Sequence, residues 1–135
     1  MAHWLMKTEP EDYSWDRLVA DGETEWGGVR NHQAARNMRT MELGEEVFFY
    51  RSVVQPAVQG IMKVSRTWHD DPAHPPWCLV RLQPVRRLPN EVSLSAIKAE
   101  PGLAGMALVR QSRLSVMPIS DEHWRLILAL GGDAG

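Results

Sequence analysis

Three things are scarce in this sequence: cysteine, long apolar runs and the common phosphate-loop motifs. Cys78 is the single cysteine among 135 residues, so no intrachain disulfide can form. Its place beside a tryptophan in an apolar run predicts a small packed side chain rather than a nucleophile. The opening segment is too short and too polar for a signal peptide, and no apolar run approaches the length that spans a bilayer. We therefore expect no membrane partner and a cytoplasmic location.

The sequence also lacks the motifs that mark several large enzyme classes and metal sites. Neither GxxxxGKS/T nor GxGxxG nor GxSxG occurs, which argues against P-loop, Rossmann and α/β-hydrolase chemistry. The segment HDDPAH at 69–74 holds two histidines and two aspartates, but prolines make it a loop without the fixed spacing of a zinc motif. We expect no bound metal, no cofactor and no catalytic residue.

Excess positive charge is absent too, because 15 basic and 17 acidic residues give a net charge of −2. The chain is therefore not a general basic nucleic-acid binder, and any contact with nucleic acid has to come from a local site. Phenylalanine and tyrosine are scarce, with two of each, whereas tryptophan occurs six times. Since tryptophan carries a large apolar ring and an N–H that needs a partner, we expect several at core edges or in a cleft.

The length, with 44% hydrophobic and 24% charged residues, suits one soluble globular domain over 1–135. Local patterns in the first half predict four elements. They are a short strand at 4–6, a helix between Ser14 as cap and Gly22 as stop, a loop over 22–31, and a helix from 31 or 32 to about 41.

The second half is rich in β-branched and aromatic residues and predicts mainly strands. These lie at 45–54, 57–69 and 77–89, with one or two more within 106–120, and helices follow Ser93 and Ser120. Pro84 falls inside the third strand and implies an edge strand or a bulge. Long helices do not alternate with the strands, which argues against a doubly wound sheet. The prediction is an α+β fold, a compact and mostly antiparallel sheet or small barrel with short peripheral helices.

The segment WGGVRNHQAARNMRT, which begins at Trp26, combines a ring, two glycines, amides and guanidinium groups. A pocket for one nucleobase needs such groups: a flat surface for stacking, amides or hydroxyls for the base edge, and cations for flanking phosphates. Asn31 suits the base edge and Arg30 suits a phosphate, and Arg36 and Arg39 could also reach phosphate. A purely structural explanation stays open, in which Trp26 fills the core, Asn31 caps the helix and the helical arginines are solvated.

The strand segment FFYRSV is a second candidate wall. Side chains alternate along a strand, so Phe48, Tyr50 and Ser52 share one face while Phe49 and Arg51 share the other. The ring and two hydroxyls of the first face suit a pocket floor and a half-buried core equally well.

Several segments of the chain are considered together: WLMKTEP, WGGVRNHQAARNM, FYRS, GIMKV, and the run from LVRQSRLSVMPIS to HWRLILAL. These segments resemble the EVE domain family, which belongs to the PUA-like fold group and is related to ASCH and YTH domains. They follow the order of the family over nearly the whole chain. Arg51 stands where many members have histidine, a change that would alter phosphate contact or pH response at the rim.

The resemblance implies a barrel-like sheet with peripheral helices that accepts one extruded, modified base of DNA or RNA. The partner would be single-stranded or base-flipped nucleic acid. Carried over position by position, the base pocket would be lined by Lys7, Thr8, Glu9, Trp26, Val29, Arg30, Asn31, Tyr50 and Ser52. The phosphates at its rim would be contacted by Arg36, Arg39 and Arg51.

Two other functions stay open on sequence grounds, although we favour a binding module over an enzyme. ASCH-like relatives suggest a small hydrolase of N-acylated nucleoside-like amides, in which Lys7 would be nucleophile or base and Glu9 the proton shuttle. The near-neutral net charge is also compatible with a module that binds a small metabolite.

Overall fold

A computed structural model describes residues 1–133 and places six strands in one sheet. The strands are β1 (His3–Thr8), β2 (Thr24–Trp26), β3 (Glu46–Arg51), β4 (Ala57–Asp70), β5 (Cys78–Ser93) and β6 (Val116–Ile119). Five short helices surround the sheet, α1 (Trp15–Asp21), α2 (His32–Thr40), α3 (Leu94–Ala99), α4 (Ala107–Arg110) and α5 (Asp121–Leu130). A 3-10 turn at Pro101–Leu103 links α3 to α4.

The strand order is β2-β5-β4-β3-β1-β6. β1 runs parallel to β3, and every other neighbouring pair is antiparallel. The expected α+β fold with a mostly antiparallel sheet is confirmed. Of the two forms expected, a sheet or a small barrel, the structure has the sheet, which stays open within residues 1–133 with β2 and β6 as its two edges.

Four polar side chains begin helices as the sequence predicts. Ser14, Asn31, Ser93 and Ser120 each accept a hydrogen bond from a backbone N–H in the first turn of α1, α2, α3 and α5. Such a bond satisfies a donor that has no partner within the helix. Asn31 thus caps α2, as the structural explanation of its position proposed.

Two expectations about local structure are wrong, because the predicted loop 22–31 contains the edge strand β2 and β5 continues beyond 89 to Ser93. The stretch 106–120 holds one strand, as expected, and also the short helix α4, which was not predicted. β2 has three residues and α4 has four, which is too short for the periodicity that identifies such elements.

The pairing of β4 with β5 shifts at four places. One shift lies at Pro84, as its missing N–H led us to expect, and β2 begins its pairing with β5 at Leu82. The pairing of β3 with β4 also shifts, between Phe49 and Tyr50, where β4 contributes one extra residue before Gly60 and a bulge of this kind bends the strand. A β-carbon on Gly60 would lie 2.5 to 2.9 Å from the ring of Trp15, so glycine allows this ring to pack on the bend.

The core lies on both faces of the sheet. On one face Phe48 stacks on Trp124 of α5 with 3.7 Å between ring centroids. On the other face Phe49 meets Trp15 and Trp26 edge to face at 5.4 and 5.8 Å.

Cys78 is buried, and burial raises the pKa of its thiol, which agrees with a packing role. In residues 1–133 no helix is both long and apolar enough to cross a membrane.

Candidate nucleic-acid interface

A pocket of about 850 Å³ opens where β1 and β3 end. These two strands are parallel, so their carboxyl ends meet at the same edge, with Lys7 beside Tyr50 and Thr8 beside Arg51. The loop between β2 and α2 forms one wall, and the segments around α3 and α4, called the far wall below, form another. This volume lies within the range typical of small-molecule sites, and it is ample for one nucleobase.

Tyr50 forms part of the pocket floor and offers a hydroxyl that no described residue engages. Its side chain is only 3% exposed, and burial raises the pKa of its phenol to about 12. The phenol therefore stays protonated at neutral pH and can donate one hydrogen bond to a ligand. The Lys7 ammonium lies 5.9 Å from the centre of the Tyr50 ring.

Lys7 joins the floor to the far wall. Its Nζ donates a hydrogen bond of 2.9 Å to the carbonyl oxygen of Ser112, and burial lowers its pKa from the ordinary value. The cation is therefore held at a defined place on the pocket surface. A fixed positive charge in a partly dry cavity attracts anionic or electron-rich groups more strongly than one in open water.

The pocket wall formed by the loop between β2 and α2 begins with closely packed residues, Trp26 and two glycines. Trp26 is only 7% exposed, because its ring meets Phe49 and, at 6.3 Å, Tyr13 edge to face. Trp26 thus belongs largely to the core and shows the pocket a small part of its ring. A β-carbon on Gly27 would lie 2.5 Å from Leu79, and Gly28 has a φ of +74°, so both glycines are needed for the course of this loop.

Arg30 lies at the mouth of the pocket. Its guanidinium donates to the carbonyl of Val29 at 3.1 Å and lies 5.6 Å from the centre of the Trp77 ring. The Trp77 ring also stacks on His32 at 5.0 Å. No described carboxylate pairs with Arg30, so its charge is available to a phosphate group.

Three carboxylates line the pocket and differ in their partners. Glu25 is bound by Arg81 at 2.6 Å and by His69 at 2.6 Å. Burial would raise the pKa of Glu25, but the hydrogen bonds and charges of these partners outweigh it and lower the pKa. Glu9 and Asp12 also line the pocket, and neither carboxylate has a side-chain partner among the described residues. They are therefore free hydrogen-bond acceptors.

The structure brings eight of the nine predicted pocket residues together around this cavity: Lys7, Thr8, Glu9, Trp26, Val29, Arg30, Tyr50 and Ser52. The ninth, Asn31, lies outside it, because its side chain caps α2 and borders a neighbouring groove. What each of the nine contributes to binding stays a prediction.

The three predicted rim arginines do not line the pocket. The Arg51 guanidinium is held by Glu91 at 2.8 and 3.1 Å and by the carbonyls of Val54 and Gln55. Arg39 donates to a backbone carbonyl and lies over an exposed tryptophan ring at 5.5 Å. Arg36 is exposed on α2. Their contact with phosphate therefore stays a prediction, and for Arg51 it requires the pair with Glu91 to open.

The sequence did not assign the far wall to the site. This wall comes from the second half of the chain and consists of Leu94, Lys98, Leu108, Val109, Ser112 and Ser115. The last four lie in LVRQSRLSVMPIS, a segment that resembles the family but suggested no site residue, and the fold brings all six to the pocket that Lys7 and Tyr50 also line. Residues 1–133 contain no cluster of three or more side chains that could hold a metal ion.

Comparison with known proteins identifies the family. The EVE domain family model matches residues 2–130, so the chain belongs to the EVE domain family and the resemblance seen in the sequence is confirmed. It is 34% identical to thymocyte nuclear protein 1 of Homo sapiens over 96% of this chain and 73% of that protein.

Solved structures of similar chains share the fold. A protein of Agrobacterium tumefaciens superposes with a TM-score of 0.97 at 39% identity, covering 100% of this chain and 96% of that one. The human THYN1 protein, solved in complex with 5-methylcytosine containing DNA, superposes with a TM-score of 0.90 at 30% identity and full coverage of both chains.

Proposed function

We propose that this protein binds nucleic acid and holds one modified base, of the 5-methylcytosine type, in the pocket at the ends of β1 and β3. The main observation in support of this proposal is the pocket itself. The unpartnered Tyr50 hydroxyl, two free carboxylates and unpaired cations line a space of about 850 Å³. The relative THYN1, which binds 5-methylcytosine containing DNA, supports the choice of base.

The chemistry of the lining fits a methylated cytosine. The exocyclic amine of cytosine is a donor, and the carboxylates of Glu9 and Asp12 are acceptors of the kind that read it. Tyr50 and Lys7 supply donors for the acceptor atoms of the ring. Apolar side chains on the far wall, among them Leu108, offer a surface for the methyl group.

A base reaches such a pocket only outside the helical stack. The pocket is formed by strand ends and loops rather than by an exposed flat face, so the target nucleotide has to be single-stranded or turned out of a duplex. Unpairing costs a few kcal/mol in a duplex, and a single strand avoids most of that cost. DNA and RNA both satisfy this requirement.

The test is a binding series on labelled strands that differ at one central base. Cytosine, 5-methylcytosine and thymine are compared in DNA and in RNA, single-stranded and duplex, by fluorescence anisotropy at two salt concentrations. One buried methyl group contributes about 0.8 kcal/mol, so we expect 5-methylcytosine to bind about fourfold more tightly than cytosine. Equal affinity for every base, with a salt dependence alone, would refute the pocket function.

Thymine is the matched probe for the carboxylates, because it keeps the methyl group and replaces the amine by a carbonyl. Glu9 and Asp12 should therefore favour 5-methylcytosine over thymine by hydrogen bonding to the amine and repelling the carbonyl. Glu9→Ala and Asp12→Ala, measured singly, should identify which carboxylate makes this distinction. If neither variant weakens it, the carboxylates do not read the amine.

A further inference from the structure

Some cations of this protein pair with carboxylates and others do not. Within residues 1–133, the arginines that pair with carboxylates are Arg17, Arg51, Arg81, Arg86 and Arg87. Around the pocket lie Lys7, Arg30 and Lys98, and no ion pair joins any of them to a described carboxylate. Arg110 is the last residue of α4 and Arg113 lies three residues further on; both are exposed and likewise have no described carboxylate partner. Positive charge near the pocket is thus available to an anion despite a net charge of −2.

Arg110 and Arg113 line a second groove, of about 320 Å³, beside the pocket. Its opposite wall is the start of α2, with the amide side chains of Asn31 and Gln33. Ser112 lines both spaces, so the groove continues the pocket across one residue. The two spaces also meet in sequence where Arg30, at the pocket mouth, is followed by Asn31.

Both walls of the groove are held in place by hydrogen bonds. Lys7 anchors the loop after α4 twice, because its Nζ donates to the carbonyl of Ser112 and its backbone N–H to that of Ser115, both at 2.9 Å. The Asn37 side chain donates to the carbonyl of Val116 at 2.8 Å, which ties α2 to the start of β6. The groove is therefore preorganised, and a ligand loses little freedom of the protein when it binds there.

We propose that this groove binds the sugar-phosphate backbone next to the nucleotide whose base occupies the pocket, with Arg110 and Arg113 contacting phosphate. The inference rests on the proposed function and adds a backbone subsite to it. Guanidinium groups bind phosphate oxygens in pairs of hydrogen bonds, and amides such as that of Gln33 hydrogen-bond to sugar and phosphate. Because the groove carries no ring to stack a base, it contributes affinity without reading sequence.

The test compares two double variants that each remove two positive charges. Arg110→Ala with Arg113→Ala removes the proposed phosphate contacts. Lys63→Ala with Arg125→Ala is the matched control, because both side chains are exposed and line neither the pocket nor the groove. Binding to single strands with one central cytosine or 5-methylcytosine is measured at 0.1 M and 1 M monovalent salt, and thermal unfolding checks that both variants fold.

Two phosphate contacts on a single strand contribute about 1.4 to the slope of log affinity against log salt concentration. The groove variant should therefore bind roughly 25-fold more weakly at 0.1 M salt and close to wild type at 1 M. The loss should be equal for the two bases, so that their affinity ratio is unchanged. The control variant should stay near wild type, because its charges lie outside the proposed path of the strand.

The outcomes separate this proposal from the proposed function. If the wild type prefers 5-methylcytosine and the groove variant binds as well as wild type, the groove is not a backbone subsite. If the control variant loses as much affinity, the effect is a general charge effect and the proposal is equally wrong. If the wild type binds no strand while an acidic peptide binds the groove, the proposed function itself fails.

Discussion

Replacing Tyr50 by phenylalanine removes one oxygen atom from the pocket and leaves the rest of the ring in place. The Tyr50 hydroxyl makes no hydrogen bond to any described residue, so its loss leaves no protein group without a partner. We expect the free energy of unfolding at pH 7 to change by no more than about 0.5 kcal/mol.

Binding should respond in a different way. If the phenol donates to the base in the pocket, its removal costs about 0.5 to 1.5 kcal/mol, the net value of one hydrogen bond. Affinity for a strand with 5-methylcytosine should then fall by about two- to twelvefold. Tyr13 supplies the control, because it also lines the pocket but its hydroxyl is bound to Asp21 at 2.7 Å. Tyr13→Phe should lower stability and affect binding less.

The pH dependence of stability gives a second, independent measurement on the same variant. Burial raises the pKa of Tyr50 from 10.0 to about 12. Between these values the unfolded chain releases the phenolic proton while the folded chain keeps it, so stability falls as the pH rises through this window. The loss amounts to about 3 kcal/mol by pH 12. Tyr50→Phe should remove that part of the alkaline loss and leave stability below pH 10 unchanged.

Anisotropy on labelled strands measures the binding change, and urea unfolding between pH 7 and pH 12 measures the stability change. A large loss of stability at pH 7 would mean that the hydroxyl has a structural partner after all. Unchanged affinity together with unchanged stability would mean that the hydroxyl does not face the ligand. Either result would refute the assignment of Tyr50 to base recognition.

Two further predictions concern the stability of the fold around the site. Trp26→Ala should lower the free energy of unfolding by about 3 to 5 kcal/mol, since a ring only 7% exposed leaves a cavity in the core; a urea midpoint equal to wild type would contradict this. For Glu45, burial raises the pKa, but hydrogen bonds from Glu42, Trp4 and Ala2 outweigh it and lower the pKa. The resulting stability is present above pH 4.5 and lost as the pH falls below it, so Glu45→Gln should be less stable than wild type at pH 7 and approach it at pH 3. A difference that does not vary with pH would disprove this.

Much of the fold could be predicted because its signals are local. Ser14, Ser93 and Ser120 begin helices through bonds that span three residues, and such short-range chemistry can be read from a sequence. The open sheet could not be distinguished from a barrel in this way. Whether β2 and β6 pair with each other depends on contacts between strands about ninety residues apart, for which composition gives no signal.

The candidate site was predictable where a motif exists and not elsewhere. Lys7, Arg30 and Tyr50 belong to segments that resemble a known family, and they meet at one pocket. Arg51 shows the limit of this approach, because its charge suggested phosphate whereas Glu91, forty residues later, holds it. Ser112 borders both the pocket and the groove, and although its segment resembles the family, nothing in the sequence marked it as a site residue.

The position of β1 governs when the pocket can exist during synthesis. β1 lies inside the sheet, between β3 and β6, and its partners are at 46–51 and 116–119. The anchors of Lys7 on Ser112 and Ser115 are equally remote. A nascent chain therefore cannot complete the floor and far wall until residues 112–119 have left the ribosome, and such distant pairings form late. Nucleic acid would accordingly bind the finished fold alone, and at a concentration of 100 times its Kd it would oppose global unfolding by about 2.7 kcal/mol.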